Sequence, residues 1–266
     1  QGPAFLFNNI KDYNGPDAVS GQVFTGGQGS YSRLAMMFGL PRDTPVKDLV
    51  RICRYIFAER IAPVNVTTGP VKQNILKGDD INLYDFPVPK WNRGDGGRYI
   101  NTYAGCVTRD PDSEVHNIGI YRGMVLDKNN IGVLLWRAQG WGMHYAKHME
   151  RGDAMPVAFV IGWEPSFGFT GGAPMPRAIS EYDVMGSIRG EPVELVDCET
   201  VPLKVPASAE IVIEGWVSTD PATFREEGPY AEFTGYYAAD RSAKHVAEIS
   251  CITHRDRPIL RGTIEG

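Results

Sequence analysis

The stretch Ile118-Gly119-Ile120-Tyr121-Arg122-Gly123-Met124-Val125-Leu126 has the composition of a β-strand. It is mostly apolar or aromatic, free of proline, and bounded by the polar loop 110–116 and by Asp127-Lys128-Asn129-Asn130. Segments of the same kind recur at 99–107, 131–136, 157–163, 193–196, 210–217, 247–253 and 258–265. Each is short, β-branched and closed by turn residues. Two helical patterns interrupt them. One covers 141–151, after Gln139-Gly140. The other covers 179–188 and sets Ile179, Tyr182, Met185 and Ile188 on one face at i, i+3 spacing. Several short strands with few helices predict a compact barrel or sandwich.

Upstream the pattern changes. An apolar run at 3–7 precedes the loop Gly26-Gly27-Gln28-Gly29-Ser30, which leads into a helix carrying Leu34, Met37 and Phe38. That loop lacks both the GxGxxG and the GxxxxGK[ST] pattern, so flexibility explains its glycines better than phosphate binding. Thr44-Pro45 reads as an N-cap and a first helical proline. Leu49, Ile52, Cys53, Ile56 and Phe57 then follow at helical spacing, ending before Pro63. The stretch 81–91, with Pro87 and Pro89, reads as a connector. The expected organisation is α+β, with an N-terminal α/β region at 1–93 and a β-barrel at 94–266.

The chain has 266 residues, 42% hydrophobic and 22% charged, the balance of an ordinary soluble protein large enough to bury a sizeable core. Its net charge of -5 and lack of basic runs argue against nucleic acid or an anionic membrane as partner. No apolar run approaches a membrane span, and the start carries no secretory signature. Cys53, Cys106, Cys198 and Cys251 are scattered without metal-finger spacing, as expected of reduced thiols in a cytoplasmic protein. There is no initiator Met, and the end at Arg261-Gly262-Thr263-Ile264-Glu265-Gly266 still reads as a strand or its exit. The expectation is a fragment of a longer polypeptide, or else a separately encoded short subunit.

Chemistry concentrates in three places. On an extended strand Asn117, Gly119 and Tyr121 face one way while Ile118, Ile120 and Arg122 face the other, so a flanking bend is needed to bring Asn117 and Arg122 onto one ligand. Asn117 reads as a turn residue closing the 110–116 loop or as an oxygen ligand. Arg122 reads as a surface ion pair or as a guanidinium fork for a carboxylate. Glu181, near a helix start, complements the helix dipole or ligates a cation. Asn and Glu oxygens suit magnesium, manganese or potassium rather than zinc. Finally, Glu227-Gly228-Pro229-Tyr230-Ala231-Glu232 brings two carboxylates together around a Gly-Pro turn, with Glu226 alongside. These form a solvated acidic loop, or a carboxyl group shielded by Tyr230, Phe233 and Tyr236 whose raised pKa makes it a general acid. His144 and His148 stand at i, i+4 but without an HExxH pattern, so a surface or core role is expected. His116 is a second-tier candidate, and no serine has a nucleophile-elbow context. An arginine for an anion, oxygens for a cation and a carboxyl group able to carry a proton suit chemistry on a small carboxylic acid. Trp136, Trp141 and Met143 hint at a flat aromatic substrate, although core packing explains them equally well.

In order and spacing these segments resemble the UbiD family of decarboxylases, which depend on prenylated FMN. The likeness runs from Gly2-Pro3-Ala4-Phe5-Leu6-Phe7 through Gly29-Ser30-Tyr31-Ser32-Arg33, Gly97-Arg98-Tyr99-Ile100, 117–122, 174–182 and 205–215 to 227–237. It implies an N-terminal α/β region, a split β-barrel of the flavin-reductase type that holds the cofactor, and a C-terminal domain that is absent here. By resemblance, Asn117 and Glu181 match ligands of a divalent cation, Mn2+ or Mg2+, that bridges to the cofactor phosphate, with K+ nearby. Arg122, Glu227 and Glu232 match a catalytic Glu-Arg-Glu trio. Thr102, Asn117, Ile120, Gln139, Pro174 and Glu181 match cofactor-binding positions. In one branch a His follows the Gln, whereas here Gly140 follows Gln139. His144, one turn on, is a substitute ligand, and otherwise water or a backbone carbonyl fills the shell. The implied activity is reversible decarboxylation of an aromatic or α,β-unsaturated acid, by a homo-oligomer or a multi-subunit carboxylase. The alternatives are a non-catalytic cofactor-binding or scaffolding subunit and a plain flavin reductase.

Overall fold

The computed structural model describes residues 2–13, 15, 18–237 and 239–263. In chain order the N-terminal part holds β1 (Phe5–Phe7), β2 (Gln22–Thr25), α1 (Tyr31–Met37), α2 (Val46–Ile56), β3 (Val64–Asn65) and β4 (Asn74–Lys77). A run of short strands follows: β5 (Tyr99–Asn101), β6 (Gly105–Arg109), β7 (His116–Ile120), β8 (Gly123–Asp127) and β9 (Asn130–Val133). After α3 (Gly140–Arg151) come β10 (Met155–Ile161), α4 (Pro165–Gly171), α5 (Glu181–Arg189), β11 (Glu194–Asp197), β12 (Lys204–Pro206) and β13 (Ile211–Val217). The last strands are β14 (Arg225–Glu227), β15 (Ser242–His254) and β16 (Ile259–Arg261).

The main sheet runs β5-β8-β9-β15-β13-β10-β6-β7, all antiparallel, with β4 and β14 paired onto the long β15. It curls into a nearly closed barrel. The path begins at β5 and ends at β7, and these two strands share no ladder. The seam between them is where the candidate site lies.

Both faces of the central strands are covered, and β10 is buried at every residue. Val157, Phe159 and Ile161 point into the barrel core with Ile211 and Ile213 of β13. Ala158, Val160 and Val212 point outward, under Tyr182 and Met185 of α5 and Phe167 of α4. Alternating side chains thus enter two different cores, which is why the strand reads as a continuous apolar run. The stretch 81–91, expected as a connector, sends Ile81, Leu83, Phe86 and Val88 into the barrel core. N- and C-terminal segments meet in a small sheet, where β16 pairs β2 in parallel and β2 pairs β1 antiparallel.

Several expectations are corrected by local geometry. The segment 99–107 is two strands, β5 and β6, and 118–126 is also two, β7 and β8, with Tyr121 and Arg122 at the bend between them. Thr44 is not the N-cap of α2. Pro45 holds that place, and the Thr44 hydroxyl donates to the Pro41 carbonyl (2.6 Å). The strand expected at 131–136 ends at Val133, and Trp136 is exposed. Of the strand expected at 258–265, β16 covers Ile259–Arg261, while Ile264 and Glu265 lie outside the described residues. All four cysteines are free thiols.

Two buried polar groups fasten this scaffold. The Glu214 carboxylate of β13 is fully buried and accepts from the Glu199 N–H (2.8 Å), the Thr200 N–H (2.7 Å) and the Thr200 hydroxyl (2.9 Å), pinning the turn after β11. His144 of α3 bonds through Nδ1 to the Thr108 hydroxyl of β6 at 2.9 Å. Burial depresses its pKa from 6.5 to about 4. E214A is expected to leave those three donors unpaired and to destabilise the fold by about 2–4 kcal/mol, read by urea denaturation. A shift below about 0.5 kcal/mol would show that the turn does not depend on the carboxylate. For His144, the unfolded chain takes up a proton near pH 6.5 that the folded protein refuses until about pH 4. Its contribution is therefore present above pH 6.5 and lost as pH falls toward 4. H144Q should flatten the stability curve across that window by about 3 kcal/mol. Parallel curves for variant and wild type would count against a neutral buried imidazole.

Candidate active site

Arg122 is aimed by the bend between β7 and β8. Its Nε and Nη2 donate to the two carboxylate oxygens of Glu227, at 3.0 and 2.8 Å, and its Nη1 donates to Glu232. Glu227 is 0% exposed and Glu232 27%. Tyr99 of β5 adds a hydroxyl donor to Glu227 at 2.8 Å, and the Tyr230 ring lies 5.5 Å from the guanidinium carbon. Burial opposes the charge on Arg122, but Glu227 outweighs it and the pKa is driven upward. Burial and the adjacent Glu227 push the Tyr99 phenol up as well, so it stays a neutral donor.

The turn that returns Glu232 to Arg122 depends on Gly228. Its φ of 92° is open to glycine and strained for other residues, and the Gly228–Pro229 bond is cis. Asp95 then accepts from the Ala231 N–H (3.0 Å), and Glu232 N–H bonds the Tyr236 carbonyl (2.9 Å). The shielding expected from the aromatic residues is only partly present. Tyr230 is buried, but Phe233 and Tyr236 are 79% and 73% exposed. Glu232 is held by Arg122 rather than by an apolar wall.

A guanidinium carries five N–H donors. Glu227 takes two and Glu232 one, which leaves one on each Nη. Arg122 lines a cavity of about 600 Å³ together with Asn101, Thr102, Ile120, Gln139, Trp136 and Glu232, among others. Its size falls within the range of small-molecule sites. A second cavity of about 430 Å³ is lined by Asn117, Pro174, Glu181, His116, His144 and Gly140, among others. Tyr121 and Gln139 line both, so the two meet there. Of the catalytic, metal and cofactor positions that the resemblance implies, all but Glu227 border one of the two cavities, and Glu227 stands behind Arg122.

In the second cavity the Glu181 carboxylate, at the start of α5, accepts the Ile118 N–H at 2.9 Å. Burial raises its pKa to about 7, partly offset by the backbone N–H groups of Glu181 itself and Ile118. The Asn117 Nδ2 is buried without a partner. A Cβ on Gly140 would stand 1.7 Å from the Asn117 Oδ1, so only glycine allows that amide to lie against the start of α3. His116 is neutral, its pKa lowered to about 4 chiefly by burial, and its Nε2 is unpartnered. His144 and His148 do not act as a pair, since His148 bonds Asp153 at 2.8 Å. Among the described residues no three His, Cys, Asp or Glu side chains converge.

Tyr99, Asp95 and Asn101 were missed as site residues. Only Tyr99 stood in a segment already notable, Gly97-Arg98-Tyr99-Ile100. Of the residues hinting at a flat substrate, Trp136 lines the larger cavity and Met143 the smaller, whereas Trp141 is buried against Tyr121 (ring centroids 4.2 Å apart).

Residues 63–266 match the 3-octaprenyl-4-hydroxybenzoate carboxy-lyase Rift-related domain, UbiD, and residues 1–53 match the corresponding N-terminal domain. The chain is 34% identical to a pyrrole-2-carboxylic acid decarboxylase of Pseudomonas aeruginosa over 99% of its length, and 35% identical to a phenolic acid decarboxylase of Bacillus subtilis over 97%. Each match covers 54% of the relative, so the chain spans about half the length of the curated relatives it matches. Among solved structures, the UbiD-class enzyme HmfF of Pelotomaculum thermopropionicum in complex with FMN superposes with a TM-score of 0.89 at 30% identity, covering 98% of this chain and 56% of that one. The closed form of Sedimentibacter hydroxybenzoicus vanillic acid decarboxylase gives 0.91 at 30% identity, covering 99% and 55%. With nearly all of its length accounted for by the two domains, the chain belongs to the UbiD family.

Proposed function

We propose that this chain carries the carboxylate-gripping and proton-transfer residues of a reversible, non-oxidative decarboxylase. Its substrate would be an aromatic or α,β-unsaturated carboxylic acid. Prenylated FMN is the proposed cofactor, with Mn2+ or Mg2+ beside it and K+ nearby. The observation that carries the reading is Arg122, clamped by Glu227 and Glu232 with two N–H donors left over, in the wall of a 600 Å³ cavity. Decarboxylase relatives and FMN- and prFMN-bound UbiD-class structures support it.

The residues fit both groups. The larger cavity would hold a flat ring system, and the residues where it meets the smaller one would hold a chain ending in an anion. In the smaller cavity Glu181 is a buried carboxylate, and Asn117 adds an amide oxygen that lies against the start of α3. A cation held by their oxygens would supply the charge that Glu181 lacks. The barrel seam would then serve as the cofactor cleft of a flavin-reductase-like split barrel. When bound, the flavin supplies an electron sink for the pair left on carbon as carbon dioxide departs.

Arg122 holds the substrate carboxylate through its two remaining donors. Glu227, out of solvent and doubly bonded, keeps the guanidinium from turning toward the substrate's other end. Glu232 is the less buried carboxyl of the trio and gives its proton to the carbon that loses carbon dioxide, or removes it in the reverse direction. Positioned proton transfer of this kind is worth about 10²–10⁴-fold. A homo-oligomer, or a place in a multi-subunit carboxylase, in the cytoplasm completes the reading.

In the protein carrying its complete reading frame, E232Q should lower turnover by about a hundredfold or more while FMN affinity stays unchanged. Wild-type-like carbon dioxide release by E232Q would refute the role given to Glu232. E181Q should weaken Mn2+ binding to the FMN-loaded protein by at least about tenfold in calorimetry. Equal Mn2+ affinity would remove Glu181 from the cation shell.

A further inference from the structure

Among the described side chains that line the larger cavity, Asn101 alone is fully buried with neither polar atom hydrogen-bonded. Its polar neighbours each have a partner within the protein. The Thr102 hydroxyl accepts from the Thr263 N–H at 3.0 Å, Gln139 Oε1 accepts from the Trp141 indole at 3.3 Å, and Arg122 is held by its two carboxylates. Room for the amide itself is made by Gly123, opposite Asn101 in the β5–β8 ladder. A Cβ there would lie 2.6 Å from the Asn101 Nδ2. A buried carboxamide with both its donor and its acceptor unmatched is rare in folded proteins, because both groups have lost water and gained nothing.

A carboxamide offers one donor and one acceptor side by side. Its complement is a group with an acceptor and a donor side by side, as on a cyclic imide or lactam edge. Turning the amide over leaves that requirement unchanged. The pyrimidinedione edge of a flavin ring, an N3–H flanked by carbonyl oxygens, has this pattern. An aromatic acid need carry no polar ring atom at all, whereas every flavin carries the imide. The position points the same way. Asn101 is fully buried, while Trp136 and Phe233 on the same cavity are exposed. A group this far from solvent is better placed to meet a resident cofactor than a substrate that must come and go. We infer that Asn101 hydrogen-bonds the N3–H and adjacent carbonyl of the flavin ring and so sets which way the ring lies beside Arg122. The inference rests on the flavin reading given above and adds to it a contact that fixes ring orientation.

The test compares FMN with 3-methyl-FMN, which lacks the N3–H, by fluorescence titration of the protein carrying its complete reading frame. Wild type should bind FMN about tenfold more tightly than 3-methyl-FMN. N101A, which also makes room for the methyl group, should bind FMN about tenfold more weakly and no longer distinguish the two. Equal affinity of wild type for both flavins would overturn the inference without any variant, so a poorly folding N101A does not protect it. Unchanged FMN affinity in N101A would also overturn it. If that result came with weakened binding of the aromatic acid, the amide would belong to the substrate. Failure of wild type to bind FMN at all would instead remove the flavin reading itself, and the inference with it.

Discussion

The structure depends on a buried ion pair. Arg122 and Glu227 come from positions far apart in sequence, the bend after β7 and the end of β14, and neither retains much contact with water. Two charges withdrawn from solvent are stable only when geometry and further hydrogen bonds compensate. Here the fork is bidentate, Tyr99 supplies another donor, and the Tyr230 ring covers the guanidinium. Removing one partner of such a pair typically costs about 3–5 kcal/mol, because the other is left charged and alone. The same arrangement fixes the direction in which Arg122 presents its unused donors. Rigidity and the proposed grip on a carboxylate would therefore come from one set of contacts.

The rest of the fold keeps that set in place. Strands buried on both faces have little freedom to shift, since any movement disturbs two cores at once. The variable parts are gathered at the seam: the bend at Tyr121 and Arg122, the start of α3 at Gly140, and the Gly228 turn. Each is enabled by a small residue or by a break in the ladder. Gly140 admits the Asn117 amide, and Gly228 admits the reversal that returns Glu232. The glycines do not add chemistry but allow polar side chains to approach one another closely.

Most long strands and both longer C-terminal helices were legible because their side-chain periods extend over enough residues to stand out. The breaks were not. Tyr121 and Arg122 carry no turn signal, so the apolar pattern of 118–126 ran straight through the bend that brings Arg122 to its partners. Short strands such as β3, β12 and β14 are set by pairing with distant segments, and two or three residues cannot display a period. α4 was missed because Pro165-Ser166-Phe167-Gly168-Phe169-Thr170-Gly171 is rich in poor helix formers, and its packing over β6 and β7 overrides that preference. The grouping of Arg122, Glu227 and Glu232 came from resemblance, not from spacing. The structure added the geometry, with Glu227 bonded to Nε and Nη2 of the arginine and Glu232 to Nη1. Asn101 showed no signal at all, because an asparagine in a strand stands out only once its lack of partners is visible.

The missing ladder between β5 and β7 makes one joint of the barrel mechanically different from the others. Prising any other pair of neighbouring strands apart would rupture backbone hydrogen bonds, whereas this gap can widen or narrow with its inter-strand bonding already absent. The aperture is thus adjustable at the place where the proposed planar cofactor would enter, and its walls are anchored to strands tied into the sheet by their own ladders.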